Sequence, residues 1–390
     1  MKRLMKLMAL LLAFTLVAAA CGDSDDASDS AETTAAETTA APETTEAPAE
    51  TTEAPAETTE APATEEPMDD INVGLTFDIG GRGDQSFNDS AAAGIDRAAA
   101  ELGVTFTEAE PNQDGSNRAE LLQQQAEVSE LVIGVGFLFA GDVIATAAEN
   151  PDVNFAVVDD AMLDFDNGAV PFADNIAGLT FAEEQGSFLV GAAAALKSET
   201  GTVGFIGGVG GFGLIEKFEA GFEAGAKAVN PDITIISEYI TQAPDFDGFF
   251  AADRAREIGL AMYAAGADII YHAAGGSGAG MFEAAAEYSE NGSKVWGIGV
   301  DSDQYNTVDP SVQEFVLTSM LKRVDVSVFE ITKAHVDGMF AAGNTVYDLS
   351  TDGVGYATSG GYIDDIVDQL EDFKAQIIAG DIVVPTVPEG

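Results

Sequence analysis

Residues 71–390 predict an α/β fold of two lobes, each built on a parallel sheet with helices on both faces. Three observations lead there. Apolar, β-branched runs alternate with Ala-rich amphipathic runs at the spacing of strand–helix units. The units fall into two sets, over about 71–176 and about 180–298. Roughly 320 residues bury a large core and commonly divide into two domains.

In chain order, the apolar runs place strands at 71–77, 131–137, 154–159, 175–181, 202–207, 233–239, 268–273, 295–300 and 315–319. Between and after them, Ala-rich runs with spaced apolar residues place helices at 87–102, 118–129, 142–149, 183–197, 214–229, 253–264, 279–288, 324–340 and 362–378. In such a fold a ligand belongs at the carboxyl ends of the strands, where the loops gather.

The chain ahead of this domain reads differently. Lys2, Arg3 and Lys6 precede an apolar run from Leu7 to Val17, followed by Ala18-Ala19-Ala20-Cys21. A basic head, a short apolar segment and a small-residue cleavage site describe a secretory signal, too short to span a bilayer. Cys21 is the only cysteine, and its setting resembles the bacterial lipoprotein lipobox, although Ala18 stands where that pattern prefers Leu. The resemblance implies a signal peptide over 1–20 and a lipid on Cys21. Residues 21–70 repeat Thr, Glu, Ala and Pro and hold no large apolar residue except Met68. Such a segment cannot offset its ordering entropy and is expected to be a disordered, extended tether.

The formal net charge is −51. With the signal and tether set aside, residues 71–390 keep 51 acids against 13 cations, near −38. That field repels phosphate backbones, so no nucleic-acid partner is expected. It suits a solvated acidic surface and disfavours highly anionic ligands. One cysteine excludes an intramolecular disulfide and a Cys-based zinc site, and His272 and His335 are the only histidines. No cofactor or metal is called for.

Chemistry gathers at the strand ends. Strand 71–77 runs into Asp78-Ile79-Gly80-Gly81-Arg82-Gly83-Asp84-Gln85-Ser86-Phe87-Asn88. Strand 154–159 ends in Asp159, strand 268–273 runs into Gly275-Gly276-Ser277-Gly278, strand 295–300 into Asp301, and strand 315–319 leads to Lys322. Carboxylates there suit vicinal hydroxyls or a ring N–H, and glycines let the backbone approach a ligand. The glycine loop lacks the G-x-x-x-x-G-K-[ST] pattern, so it is read as turn chemistry and not as a phosphate cradle. No nucleophile–histidine–acid set is evident.

These segments, with Lys217-Phe218-Glu219-Ala220-Gly221-Phe222-Glu223-Ala224-Gly225 and Leu317-Thr318-Ser319-Met320-Leu321-Lys322-Arg323, resemble the motifs of the basic membrane protein family. That family comprises lipoprotein substrate-binding proteins of ABC transporters, similar to the purine nucleoside receptor A type. The resemblance spans essentially all of 71–390. It implies a type I periplasmic-binding fold, two Rossmann-like lobes joined by a hinge. Lobe 1 would take about 71–176 plus 300–323, and lobe 2 about 177–299 plus 324–390. It also implies a base stacked between Phe87 and Phe249, or Phe246 in its place, in a loop where Phe250 follows. Asp78, Asn88, Asp159, Asp301 and Lys322 would hold the polar edges, and Gly275 and Gly276 would admit the sugar.

The function implied is a lipid-anchored, extracytoplasmic receptor that binds a nucleoside, a purine in preference, and delivers it to an ABC permease as a monomer, without catalysis. Another small polar ligand in the same fold, such as a sugar or signalling molecule, is the alternative. A nucleoside hydrolase is a third reading, disfavoured by the missing nucleophile. Trp296, five residues before Asp301, is expected near the cleft or hinge.

Overall fold

The structure, a computed structural model, describes residues 71–290 and 292–389. The expected signal peptide, Cys21 and the tether lie outside the described residues.

The first lobe begins with β1 (Asn72–Thr76), α1 (Phe87–Leu102), β2 (Thr105–Ala109), α2 (Arg118–Ala126), β3 (Leu131–Gly134), α3 (Ala140–Glu149) and β4 (Asn154–Val158). A small hairpin of β5 (Leu163–Asp164) and β6 (Val170–Pro171) precedes β7 (Ile176–Phe181). The second lobe takes α4 (Glu183–Lys197), β8 (Thr202–Gly210), α5 (Leu214–Val229), β9 (Thr234–Gln242), α6 (Ala252–Ala264), β10 (Ile269–Ala273), α7 (Gly278–Glu290), β11 (Trp296–Asp301) and β12 (Val316–Lys322). The chain returns to the first lobe with α8 (Val324–Val336) and β13 (Gly343–Tyr347), then adds β14 (Val354–Tyr356) and α9 (Val367–Ala379) to the second.

One sheet runs β13-β7-β4-β3-β1-β2, all parallel; the other runs β14-β12-β11-β10-β8-β9, parallel except for β14. Helices cover both faces, which is why the inner strands read as continuous apolar runs: Leu131, Val132 and Ile133 are all fully buried. Gly103 and Gly380 end α1 and α9 in the left-handed conformation that glycine adopts without steric cost.

The lobe boundaries depart from the expected ones. Residues 300–323 do not return to the first lobe, because β12 pairs in parallel with β11 from Gly297↔Val316 to Asp301↔Leu321. Nor does all of 324–390 lie in the second, because α8 packs on α1 and β13 pairs with β7. β7 itself stays in the first sheet. The lobes are therefore joined by three crossings, after Phe181, after Lys322 and after Tyr347. They lie side by side: the Ala182 N–H donates to the Tyr347 carbonyl at 2.9 Å and the Arg323 N–H to the Gly353 carbonyl at 2.9 Å.

Candidate functional site: an acidic, aromatic cleft between the lobes

The carboxyl ends of the two sheets face each other across a cleft. Asp78, Asp84, Phe87, Asn88, Phe137 and Asp159 line it from the first lobe. Phe218, Phe249, Phe250, Gly275, Gly276, Asp301 and Lys322 line it from the second.

Asp159 follows β4 and Asp301 ends β11, and both adopt left-handed φ, 69° and 64°. Non-glycine residues rarely do so, at a cost of about 1–3 kcal/mol each, and such strain concentrates at functional sites. The Ser86 hydroxyl donates to Asp301 Oδ2 at 2.5 Å across the lobes, and Ser302 donates back to the Ser86 carbonyl at 2.9 Å. Burial pushes the Asp301 carboxyl up to about 7, against the opposing pull of Lys322 and Ser86. Asp159 Oδ2 accepts from Lys322 Nζ at 2.6 Å, while Asp159 Oδ1 is buried without a partner. Burial raises this carboxyl too. For Lys322, burial works against the charge, but Asp159, Glu183 and Asp301 together hold its pKa above the ordinary lysine value.

The rings surround these charges. Lys322 Nζ sits 5.0 Å from the Phe87 ring centroid, 5.1 Å from Phe181 and 5.6 Å from Phe218. Phe249 lies on bare backbone: a Cβ at Gly208 would stand 2.5 Å from its ring. Phe250 covers Gly80 of the opposite lobe in the same way, at 2.7 Å. Asp84 caps α1, its Oδ1 accepting from the Ser86 and Asp89 N–H groups and its Oδ2 from Asn88. Asp78 Oδ1 accepts from the Ile79 N–H at 2.8 Å and from Arg118 at 3.4 Å, and Asn88 Oδ1 accepts from the Asp78 N–H at 3.0 Å.

Such a cleft can stack a flat ring, accept hydrogen bonds on carboxylates and donate from an ammonium. Its serine–carboxylate contact, Ser86 to Asp301, is buried between the lobes. His272 is fully buried behind the cleft, its Nε2 bonded to Gln304 at 2.8 Å, and burial pushes its pKa down to about 4. Among the described residues no cluster of three or more His, Cys, Asp or Glu is placed to hold a metal ion, and no helix is long and apolar enough to cross a membrane.

Residues 71–387 match the family described as ABC transporter substrate-binding protein, PnrA-like. The chain belongs to this family. Among its relatives is a "CD4+ T-cell-stimulating antigen" of Listeria monocytogenes, 34% identical, with 82% of this chain and 89% of that protein covered. The "ABC transporter nucleoside-binding protein BmpA" of Lactococcus lactis is 33% identical, with 81% and 90% covered. Basic membrane protein A of Borreliella burgdorferi is 31% identical, with 84% and 90% covered. A solved solute-binding protein of an ABC transporter system from Aeropyrum pernix shares the fold at a TM-score of 0.67 and 27% identity, over 81% of this chain and 94% of that one. The architecture is thus the type I periplasmic-binding fold of this PnrA-like family.

Nine of the ten residues expected at the ligand, Asp78, Phe87, Asn88, Asp159, Phe249, Gly275, Gly276, Asp301 and Lys322, line this one cleft. Phe246 does not; its ring packs edge-on against Phe137 and Phe212, at 5.8 Å from each. Phe137 and Phe212 themselves stack at 4.9 Å, joining the lobes beside the cleft. Lys322 pairs with Asp159 and not with Asp301. Trp296 is misplaced by the expectation. It opens β11 whereas Asp301 closes it, roughly 16 Å away at the rise of a strand, and it packs on Tyr362 and Lys294. Asp84, Phe137, Phe218 and the buried Glu183 were not foreseen. Asp84 and Phe218 sat inside the recognised motifs, whereas Glu183 reads locally as an ordinary acid at a helix start.

Proposed function

We propose that this PnrA-like protein is a lipid-anchored, extracytoplasmic receptor that binds a nucleoside between its lobes and delivers it to an ABC permease. The ligand class proposed is a purine nucleoside. One juxtaposition supports the reading above all: Phe87 and Phe249 line the same cleft as Asp159, Asp301 and Lys322. Rings tolerate any base through stacking, at about 1–3 kcal/mol per ring face. Carboxylates select a ribose diol, since a ligand lacking it leaves a buried charge short of a donor. A relative named as nucleoside-binding agrees with this. The cleft does no chemistry in this account; affinity comes from burial and lobe closure. The anchor would be a lipid on Cys21, and the 21–70 segment would hold the domain away from the membrane.

Phe87→Ala separates base from sugar recognition. With inosine as ligand, the variant is expected to lose about tenfold or more in affinity while ribose remains a weak ligand for both proteins. Unaltered inosine affinity in a folded Phe87→Ala protein removes the stacking assignment and turns the search to sugars and other small polar ligands.

A further inference from the structure

Lys322 is 3% exposed and has three N–H donors, yet Asp159 alone accepts a hydrogen bond from it, at 2.6 Å. The next carboxylate is Glu183, whose Oε1 lies 3.6 Å away, fully buried and without a hydrogen-bond partner of its own. These two carboxylates differ in what they ride on. Asp159 belongs to the first lobe, whereas Glu183 opens α4, which packs beside β12 in the second. When lobes part, Asp159 moves with the first sheet and Glu183 stays with Lys322. We propose that Glu183, held by Lys217, is the positioning residue of the cleft: it keeps the Lys322 ammonium charged and aimed at the ligand whether the lobes are open or closed. This rests on the reading of the cleft as the ligand site.

The Lys217–Gly225 motif gains a purpose from this. Lys217 donates to Glu183 Oε2 and to the Phe181 carbonyl, the latter at 2.7 Å, and stands 3.7 Å from Glu184. It reaches them because α5 lies backbone-to-backbone on α4. A Cβ at Gly221 would stand 2.2 Å from the Glu184 carbonyl oxygen, and one at Gly225 1.9 Å from that of Phe188. The charges facing Glu183 and Lys322 are then Lys217 from α5, Glu184 from α4, Asp159 after β4 and Asp301 from β11. Without Glu183, the separated state would leave the ammonium facing Asp301 alone among the acids that hold its charge from its own lobe, a carboxyl that burial pushes toward its neutral form, and the charged amine would be less favoured.

The test reads Lys322 directly. Lysine-selective nitrogen-15 NMR of the ligand-free protein gives the pH at which Lys322 titrates, and calorimetry with inosine gives affinity against pH. Glu183→Gln is expected to lower the Lys322 midpoint by about 1 pH unit or more, as loss of a nearby opposite charge does. The alkaline limit of inosine binding should move down with it. Glu183→Asp should restore part of the shift. Lys217→Met, which removes a neighbouring cation, should not lower the midpoint. If the single variant does not fold, the double variant Glu183→Gln/Lys217→Met is compared with Lys217→Met, and its Lys322 midpoint should be the lower of the two. A folded Glu183→Gln with an unmoved Lys322 midpoint, or a double variant whose midpoint equals that of Lys217→Met, overturns the proposal. A lowered midpoint in a protein that binds no inosine at any pH upholds it and removes the nucleoside reading instead.

Discussion

At the scale of single residues, the cleft is governed by what burial does to Asp301. Its carboxyl is raised to about 7, so the folded, ligand-free protein binds a proton there that the unfolded chain releases near pH 4. Between those values the native state holds more protons, and stability contributed at this site falls as pH rises, by up to about 1.4 kcal/mol per unit. A ligand whose hydroxyls donate to the carboxylate reverses the preference. Nucleoside affinity is expected to weaken by up to about tenfold per unit as pH falls from about 7 toward 5, with proton release detectable by calorimetry in buffers of different ionisation heat. A flat affinity across that range would show that Asp301 does not bind in its charged form. Asp301→Ala should abolish nucleoside binding in a protein that still folds, which calorimetry and denaturant unfolding together check. The residues themselves were legible because an acid just after an apolar run stands out. The choice between Phe246 and Phe249 was not legible. Both sit in one Phe-rich loop, and what separates them is Phe137 and Phe212, which occupy one ring and not the other.

At the scale of elements, the strand–helix alternation located nine of the strands and all nine helices to within a few residues. The strands it missed are β2, β13, β14 and the β5–β6 hairpin, all at sheet edges or outside the main sheets. β2 is largely exposed and β14 has three residues, so neither presents a buried apolar run. The α4–α5 contact is the tightest consequence of a motif. Gly225→Ala places a methyl against the Phe188 carbonyl. It should destabilise the protein by about 1–3 kcal/mol or more and loosen Lys217 from Glu183. Denaturant unfolding measures the first effect; an unchanged midpoint would mean that α5 shifts without cost.

At the scale of the whole molecule, alternation gives the order of elements but not their sheet. Lobe membership depends on which strands pair, and Val316–Lys322 joins β11 although the next element, α8, crosses back to the first lobe. The same limit hid Glu183, whose meaning comes only from Lys322 at the adjacent crossing. The acidic balance of residues 71–390, 51 acids against 13 cations, was plain from the sequence and acts on the molecule as a whole. Raising salt from 0.1 to 1 M shortens the screening length from about 10 to about 3 Å, so the unfolding temperature should rise with sodium chloride over that range. A salt-independent midpoint would mean that the acids are already compensated.

The central claim is that the interlobe cleft takes a nucleoside through its base and its ribose together. Calorimetric titration with inosine, guanosine, uridine and ribose addresses it most directly; Trp296 fluorescence would not, since that ring lies at the far end of β11 from the cleft. The account predicts saturable, sub-micromolar binding of a purine nucleoside and none of comparable strength for ribose. A folded protein that yields no heat with any nucleoside, or that binds ribose as tightly as inosine, would contradict it.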